Sequence, residues 1–187
     1  MVRIGQKIPN LSFEIFQNGD IKEVNFESYA GKWIVLFFYP ADFTFVCPTE
    51  LEGLADSYSI FKELGAEVIS VSRDTAFVHK AWHSQSSAIK KINYPMASDL
   101  KGELCEAFGT FEEEGGLSLR STYIIDPNGI AKSFEINDNS IGRNVNETIR
   151  KLQAAIFTSK NGGKVCPLNW TPDKEALSLP SLSIFEK

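Results

Sequence analysis

The chain has 187 residues, of which 43% are hydrophobic and 23% charged, a composition typical of one soluble globular domain with a substantial core. Its net charge of −5 argues against nucleic acid as a main partner. Residues 1–7 lack the apolar run of a signal peptide, and no apolar segment approaches the ~18 residues of a membrane span. We therefore expect neither a membrane nor a nucleic-acid partner.

The first elements predict a hairpin followed by a central strand. Alternating apolar residues over 12–16 and 21–26 flank Asn18-Gly19-Asp20, a strong turn signal, and predict an N-terminal β-hairpin. The continuous apolar run over 33–39 predicts a strand that is buried on both faces.

A long helix is predicted next, beginning near Cys47 and ending at Gly65, with apolar residues at helical spacing along one face. Residues 66–72 predict the following strand. A strand, a helix and a strand of these lengths predict a right-handed unit with parallel strands.

The second half of the chain predicts further helices and strands, and then a tail. Helices are predicted over about 75–85, 100–108 and 144–159, and an antiparallel hairpin over 121–125 and 130–136. This order fits an α/β fold with a mixed central sheet, as in a thioredoxin-like core. We expect one domain over residues 1–163 and a flexible C-terminal arm over 164–187, which has three prolines and no periodicity.

The three cysteines are Cys47, Cys105 and Cys166. A small odd number without an export signal indicates a reducing compartment, the cytoplasm, where any disulfide is transient and catalytic. The sequence has no C-x-x-C pair, which disfavours a thioredoxin-type dithiol reductase and a cysteine-rich zinc site. Cys105 lies in an apolar helical pattern and is interpreted as structural.

Cys47 lies where the central strand runs through a short turn into the long helix. The free N–H groups and the dipole of a helix N-terminus favour the thiolate, which is the nucleophilic form. Two helix starts compete: Thr44 as the N-cap, or Cys47 as the cap with Pro48 first and Glu50 third. This competition predicts a first turn that frays easily.

The pattern Pro40-x-x-x-Thr44-x-x-Cys47 resembles the active-site motif of the peroxiredoxins, and residues 37–51 look like their AhpC-type, typical two-cysteine branch. Further matches follow in the same order along the chain: Asp74-Thr75, His79-Lys80-Ala81-Trp82-His83, Arg120-Ser121-Thr122, Asp126-Pro127-x-Gly129, Gly142-Arg143 and Val165-Cys166-Pro167. The resemblance covers essentially the whole chain. It implies a thioredoxin-like fold and a thiol-dependent peroxidase for hydrogen peroxide and organic hydroperoxides, without a metal or cofactor, that serves antioxidant defence.

The resemblance also implies roles for individual residues. Cys47 becomes a sulfenic acid, the reversible first step of thiol oxidation. Arg120 lies beside the sulfur and the peroxide oxygens, and Arg143 supports the site through Glu50. Without the motif, each arginine would be interpreted as a surface salt bridge.

Two further residues of the motif suit the same chemistry. The hydroxyl of Thr44 can donate to one peroxide oxygen while it accepts from the other, a role compatible with capping. Pro40 is rigid and lacks a donor, so it can shield the sulfur from water, although it can also simply end the strand.

Cys166 is the better candidate for the second thiol, because it lies on the predicted arm. The resemblance implies a disulfide between Cys47 of one subunit and Cys166 of the other in an antiparallel homodimer. We expect a pentamer of dimers, although the sequence leaves open whether the assembly is a dimer or a ring of five dimers. Forming that disulfide requires the first helical turn to melt and the arm to move. The sequence leaves two electron donors open, a flavoprotein disulfide reductase or thioredoxin.

His79 and His83 are the only two histidines and lie one helical turn apart. No glutamate follows His79 and no third ligand is evident, which disfavours a zinc site. A Cys–His protease would need one of them near Cys47 and ranks low. The resemblance places this region near the dimer–dimer contact, so Trp82 and Phe43 are either interface residues or ordinary core residues.

Peroxiredoxins that are sensitive to overoxidation carry a Gly-Gly-Leu-Gly loop and a C-terminal Tyr-Phe pair. This chain has Gly115-Gly116-Leu117-Ser118 and Ile184-Phe185, which match only in part and predict a relatively robust enzyme. Two rival functions are a chaperone or signalling scaffold that does not need Cys47, and a one-cysteine peroxidase in which Cys166 is incidental.

Overall fold

The computed structural model describes residues 1–179. Its centre is a seven-stranded mixed sheet in the order β2-β1-β5-β4-β3-β8-β9. The strands are β1 Ser12–Gln17, β2 Asp20–Asn25, β3 Trp33–Phe38, β4 Ala66–Ser72, β5 Met96–Ser98, β6 Phe111–Glu112, β7 Leu117–Ser118, β8 Arg120–Ile125, β9 Ala131–Asn137, β10 Lys164–Val165 and β11 Leu177–Ser178. The helices are α1 Cys47–Asp56, α2 Tyr58–Glu63, α3 Ala76–Gln85, α4 Glu103–Phe108 and α5 Val145–Lys160.

Strand β3 lies between β4 and β8, and all six of its residues are buried. It pairs with β4 in parallel and with β8 in antiparallel orientation, where Phe38 lies opposite Ser121. The end of β3 therefore lies beside the start of β8. This register brings Arg120, the first residue of β8, close to the segment that follows β3, although the two are far apart in sequence.

Alternate residues of β3 point to opposite faces of the sheet. Ile34, Leu36 and Phe38 belong to a core cluster that also holds Tyr123 and Phe108. On the other face Phe37 contacts the guanidinium of Arg143. The buried two-faced strand predicted from the apolar run is confirmed, and one of its faces is directed toward the polar site described below.

Several predicted elements are confirmed. The N-terminal hairpin turns at Asn18 and Gly19, both with positive φ, as a two-residue hairpin loop requires. Gly65 follows the end of α2 with a φ of 73°, the conformation that favours glycine after a helix. The hairpin of β8 and β9 is also present.

The single long helix predicted after Cys47 is wrong, because the structure has two helices that meet at Ser57. Helix α1 ends at Ser57, whose backbone N–H donates to Gly53 O. The ψ of Ser57 is 2°, which departs from the helical value. The apolar spacing continues across this junction, so periodicity could not reveal it. The helix predicted from residue 100 begins at Glu103, because Gly102 has a φ of 79°.

The chain divides into two compact units, residues Met1–Val145 and the residues from Asn146 onward. In the second unit a short antiparallel pair joins β10 to β11, a pair that no periodicity signalled. Ile184 and Phe185, half of the predicted overoxidation mark, lie outside the described residues. Among residues 1–179, none of the helices has the length and apolar character needed to cross a bilayer.

Candidate active site

Cys47 is the first residue of α1, and its side chain is fully buried. Both predicted helix starts are wrong, since the capping position is Val46, whose carbonyl accepts the N–H groups of Thr49 and Glu50 at 3.0 and 3.3 Å. Thr44 does not cap the helix, because its hydroxyl donates to Ala41 O at 2.8 Å. Val46 is apolar and offers the free N–H groups of the first turn no side-chain acceptor.

Arg120 places a positive charge beside the sulfur. Its Nη1 lies 3.4 Å from Cys47 Sγ and 2.7 Å from Glu50 Oε2, and its Nε donates to Asn139 O at 2.8 Å. The guanidinium is nearly fully buried, so water screens its charge little. A thiolate at this position would gain both a hydrogen bond and a close counter-charge.

Glu50 holds a second arginine in place. The Arg143 guanidinium forms a bidentate pair with the Glu50 carboxylate: Nε donates to Oε1 and Nη2 donates to Oε2, both at 3.0 Å. The backbone N–H of Arg143 also donates to Oε1, at 2.8 Å. The Arg143 guanidinium also lies 3.2 Å from the centre of the Phe37 ring. Glu50 therefore joins both arginines, and the predicted support of Arg143 through Glu50 corresponds to observed contacts.

The protonation of Glu50 follows from this pairing. Burial acts to raise the pKa of Glu50, but the hydrogen bonds and charge of Arg143 and the charge of Arg120 together hold the pKa below its usual value. The site is thus a buried carboxylate between two cations, next to a thiol.

Pro40 and Thr44 lie on the segment between β3 and α1. Pro40 is buried and Thr44 is half-buried. The Thr44 hydroxyl donates its hydrogen bond to Ala41 O. It could donate to a peroxide only after this hydrogen bond breaks. Of the predicted site residues, the structure therefore brings Cys47, Glu50, Arg120 and Arg143 into direct contact and places Pro40 and Thr44 on the adjoining segment.

A buried polar group that the sequence did not predict lies on the same segment. Asp42 accepts hydrogen bonds from Tyr39 and pairs with His79, and all three side chains are buried. The spacing of Ala76, His79 and Trp82 on α3 could have indicated burial for this histidine, since the three share one helical face. Its partner lies 37 positions away and left no local signal.

The other two cysteines have different surroundings. Burial, followed by hydrogen bonding to Asp99 and its charge, raises the pKa of Cys105 to about 12, which fits an inert core thiol. Cys166 follows β10 in the second unit, is half-buried, and has its thiol 3.9 Å from Ala154 O. Burial raises the pKa of Cys166, and the positive charge of Arg150 opposes this.

The aromatic patch is defined as Phe43 and Phe45 of the same segment together with Phe77 and Trp82 of α3. The exposed fractions of Phe43, Phe45 and Phe77 are 53%, 95% and 69%. Trp82 is buried, with its ring centre 5.7 Å from that of Phe43. Trp82 is thus a core residue, whereas Phe43 is exposed and is available for an interface.

The chain is similar to known proteins over its full length. Residues 4–134 match the model of the AhpC/TSA family. The chain is 45% identical to alkyl hydroperoxide reductase C of Bacillus subtilis and 43% identical to that of Escherichia coli, in each case over the full length of both chains.

Solved structures show the same relationship. The crystal structure of Enterococcus faecalis AhpC has a TM-score of 0.87 and 46% identity, covering 89% of this chain and all of that one. The reduced 2-Cys peroxiredoxin of Plasmodium vivax has a TM-score of 0.88 and 33% identity, covering 92% and 91% of the two chains. The expected thioredoxin-like fold is therefore confirmed, and the chain belongs to the AhpC/TSA family.

Proposed function

We propose that Cys47 is the peroxidatic residue of this chain, which is a thiol-dependent peroxidase of the AhpC/TSA family. The observation that carries the proposal is the buried guanidinium of Arg120, with Nη1 3.4 Å from Cys47 Sγ at the first residue of α1. An inert structural cysteine has no need of a cation and a helix N-terminus.

In the first step the Cys47 thiolate attacks the terminal oxygen of a hydroperoxide. An S–O bond forms, the O–O bond breaks, and the departing alkoxide or hydroxide takes a proton and leaves as an alcohol or water. Arg120, the Thr44 hydroxyl and the free N–H groups of α1 are the donors that stabilise the negative charge on the departing oxygen. Pro40 limits access of water to the sulfenic acid that remains on Cys47.

In the second step the Cys166 thiol attacks the sulfenic sulfur. A disulfide between Cys47 and Cys166 of the other subunit forms, and water leaves. A reductase then returns both thiols with two electrons and two protons. We assign this donor to a flavoprotein disulfide reductase or to thioredoxin, and the site of action to the cytoplasm.

We further propose that the homodimer assembles into a pentamer of dimers through the aromatic patch. Phe43, Phe45 and Phe77 are large exposed apolar side chains on this segment and on α3, and exposed apolar surface marks interaction sites. The patch adjoins the segment that carries Thr44, so assembly would restrain the segment on which the proposed site depends.

The test uses three cysteine variants and peroxide consumption measured with each purified donor. Cys47→Ser should abolish consumption, and Cys166→Ser should oxidise once and then stop. Cys105→Ser is the matched control and should remain active. Non-reducing electrophoresis after peroxide should show a dimer band that requires both Cys47 and Cys166. Retained consumption by Cys47→Ser would overturn the assignment, and a fully active Cys166→Ser would favour a one-cysteine mechanism.

Resistance to overoxidation remains a prediction. Within the described residues, this prediction depends on the loop 115–118, whose last two residues form β7. The carbonyl oxygen of Gly116 in this loop accepts a hydrogen bond from Arg73 at 2.6 Å. Sulfinic acid on Cys47 at near-stoichiometric peroxide, detected by mass spectrometry, would refute it.

A further inference from the structure

Three buried side chains behind the proposed site form a continuous polar chain that the peroxidase chemistry does not use. Tyr39 donates its hydroxyl proton to Asp42 Oδ1 at 2.6 Å. The other carboxylate oxygen, Oδ2, lies 2.7 Å from Nδ1 of His79. The second ring nitrogen of His79, Nε2, lies 3.2 Å from the carbonyl oxygen of Ala97 on β5.

The positions of two protons follow from the chemistry of the partners. A carbonyl oxygen only accepts, so His79 Nε2 must carry a hydrogen. Burial, and then the charge and hydrogen bond of Asp42, hold the pKa of Tyr39 well above its usual value, so Tyr39 keeps its proton and donates it. One more proton lies between His79 Nδ1 and Asp42 Oδ2.

That proton makes the contact a hydrogen bond between the two buried side chains. A separation of 2.7 Å lies at the short end of the range for hydrogen bonds between nitrogen and oxygen.

The charged and titratable groups around the pair come from three parts of the fold. Tyr39 and Asp42 lie on the segment after β3, and Asp74 lies between β4 and α3. Asp74 Oδ2 accepts from the backbone N–H of Asp42 at 2.8 Å and from Ser72 at 2.7 Å. Strand β5 contributes the carbonyl dipole of Ala97.

Asp42 is thereby fixed at three points, by Tyr39, by His79 and through its own N–H by Asp74. The next residue, Phe43, has a φ of 55°, a conformation that costs a residue with a side chain of this size free energy and persists only when its surroundings hold it. Thr44 follows directly. The three bonds therefore determine where the chain places Phe43 and Thr44.

We propose that His79 is a positioning residue of the peroxide site, whose buried hydrogen bond with Asp42 holds the segment 40–46 in the conformation that peroxide reduction requires. The inference rests on the proposed function, because it assigns that segment a role in the reaction. The proposal adds a residue of α3 to the site, which includes residues of α1 and β8. Helix α3 also carries Phe77 and Trp82 of the aromatic patch.

The hydrogen bond is tested by nitrogen-15 and proton NMR of histidine-labelled protein. The chain has two histidines, so two rings are observed. We expect the ring proton shared between His79 and Asp42 to resonate far downfield and to exchange slowly with water. His83, with Nε2 3.1 Å from Ile92 O, gives the second signal set. His83→Gln removes one signal set and assigns the other.

The Asp42→Asn variant completes the spectroscopic test. Without the carboxylate, the downfield resonance of the shared proton should move upfield or disappear. Absence of this resonance from the wild-type spectrum would overturn the proposal. This measurement needs no peroxide, so its outcome is independent of whether the proposed peroxidase function is correct.

The positioning role is tested by the rate of Cys47 oxidation in a single turnover, followed by stopped-flow fluorescence. His79→Phe should slow the reaction at least 10-fold, while the control His83→Gln should react like wild type. His79→Asn, whose amide can donate to Asp42, should recover part of the rate in the folded protein. Wild-type rates in both His79 variants would refute the role, and failure of wild type itself to react would instead refute the proposed function.

Discussion

Glu50 places a carboxylate between two buried guanidinium groups, with Arg120 at 2.7 Å and Arg143 at 3.0 Å. Replacing it by glutamine removes the carboxylate that directly contacts both buried cations. Removing one partner of a buried ion pair is strongly destabilising, so Glu50→Gln should lower the free energy of unfolding by about 3 kcal/mol at pH 7. Chemical denaturation measures the loss, and Glu52→Gln, on the exposed side of α1, is the control.

The same carboxylate predicts a pH dependence with a definite sign. The folded pKa of Glu50 lies below its usual value, so its contribution is complete above the unfolded pKa of about 4.3 and is lost as the pH falls through the folded pKa. The difference in unfolding free energy between wild type and Glu50→Gln should therefore be constant near neutral pH and shrink below about pH 4. An unchanged difference at acidic pH would contradict the electrostatic origin of the effect.

Cys105 offers a contrast between two buried thiols. Its pKa is raised to about 12, so the native protein should present almost no thiolate there at pH 8. Iodoacetamide should label Cys47 within the time in which Cys105 remains unmodified, as read by peptide mass spectrometry. Urea should make Cys105 as reactive as an ordinary thiol. Rapid native labelling of Cys105 would show that it is not the inert core residue we infer.

Some site residues could be predicted from local sequence patterns, whereas others depend on tertiary contacts. Cys47, Glu50 and Arg120 follow from a motif and from a strand–turn–helix junction, both visible in the sequence. The pairing of Asp42 with His79 comes from tertiary packing of α3 against the segment after β3, which no local pattern encodes. The position of Arg143 over Phe37 likewise depends on how the loop before α5 folds back.

Helix α1 begins without a polar cap, since Val46 precedes it and Pro48 is its second residue. Its first turn has free N–H groups and few internal hydrogen bonds, so we expect it to open more readily than the rest of the helix. Hydrogen exchange should be faster for the amides of residues 45–50 than for those of 54–60. Oxidation of Cys47 to the disulfide should widen the difference, because that bond requires the turn to melt.

Equal protection of the two segments would exclude an easily melted first turn. A matched comparison is available in α3, where Thr75 accepts a hydrogen bond from the N–H of Val78. The first turn of this capped helix should exchange more slowly than that of α1.

The elements that the sequence predicted well are those with a long, consistent pattern. The apolar run of β3, the turn at Asn18-Gly19 and the glycine at residue 65 each have one physical meaning, and the structure agrees with all three. The break at Ser57 and the three-residue strand β5 are shorter than the window over which periodicity is meaningful. They are determined by packing of α2 on β4 and by pairing of β5 with β1 and β4.

We expect the aromatic patch to connect the proposed site to the assembly of whole molecules. Phe43 lies between Asp42 and Thr44, and its ring packs on Trp82 of α3, while Phe45 and Phe77 extend into solvent. An interface on this surface would bury apolar area and restrain the same segment that the Asp42–His79 pair holds. We therefore expect assembly and the rate of peroxide reduction to be coupled.

Phe77→Asp tests this coupling, because a charge at the centre of a buried apolar interface should separate the proposed ring into dimers. Light scattering should show the change in mass, and the oxidation rate of Cys47 should fall at the same protein concentration. Leu100→Asp is the matched control: Leu100 is 59% exposed and lies next to β5, away from α3 in sequence. If Phe77→Asp keeps the wild-type mass, the patch is not the assembly surface. If it forms dimers that react at the wild-type rate, assembly does not restrain the segment.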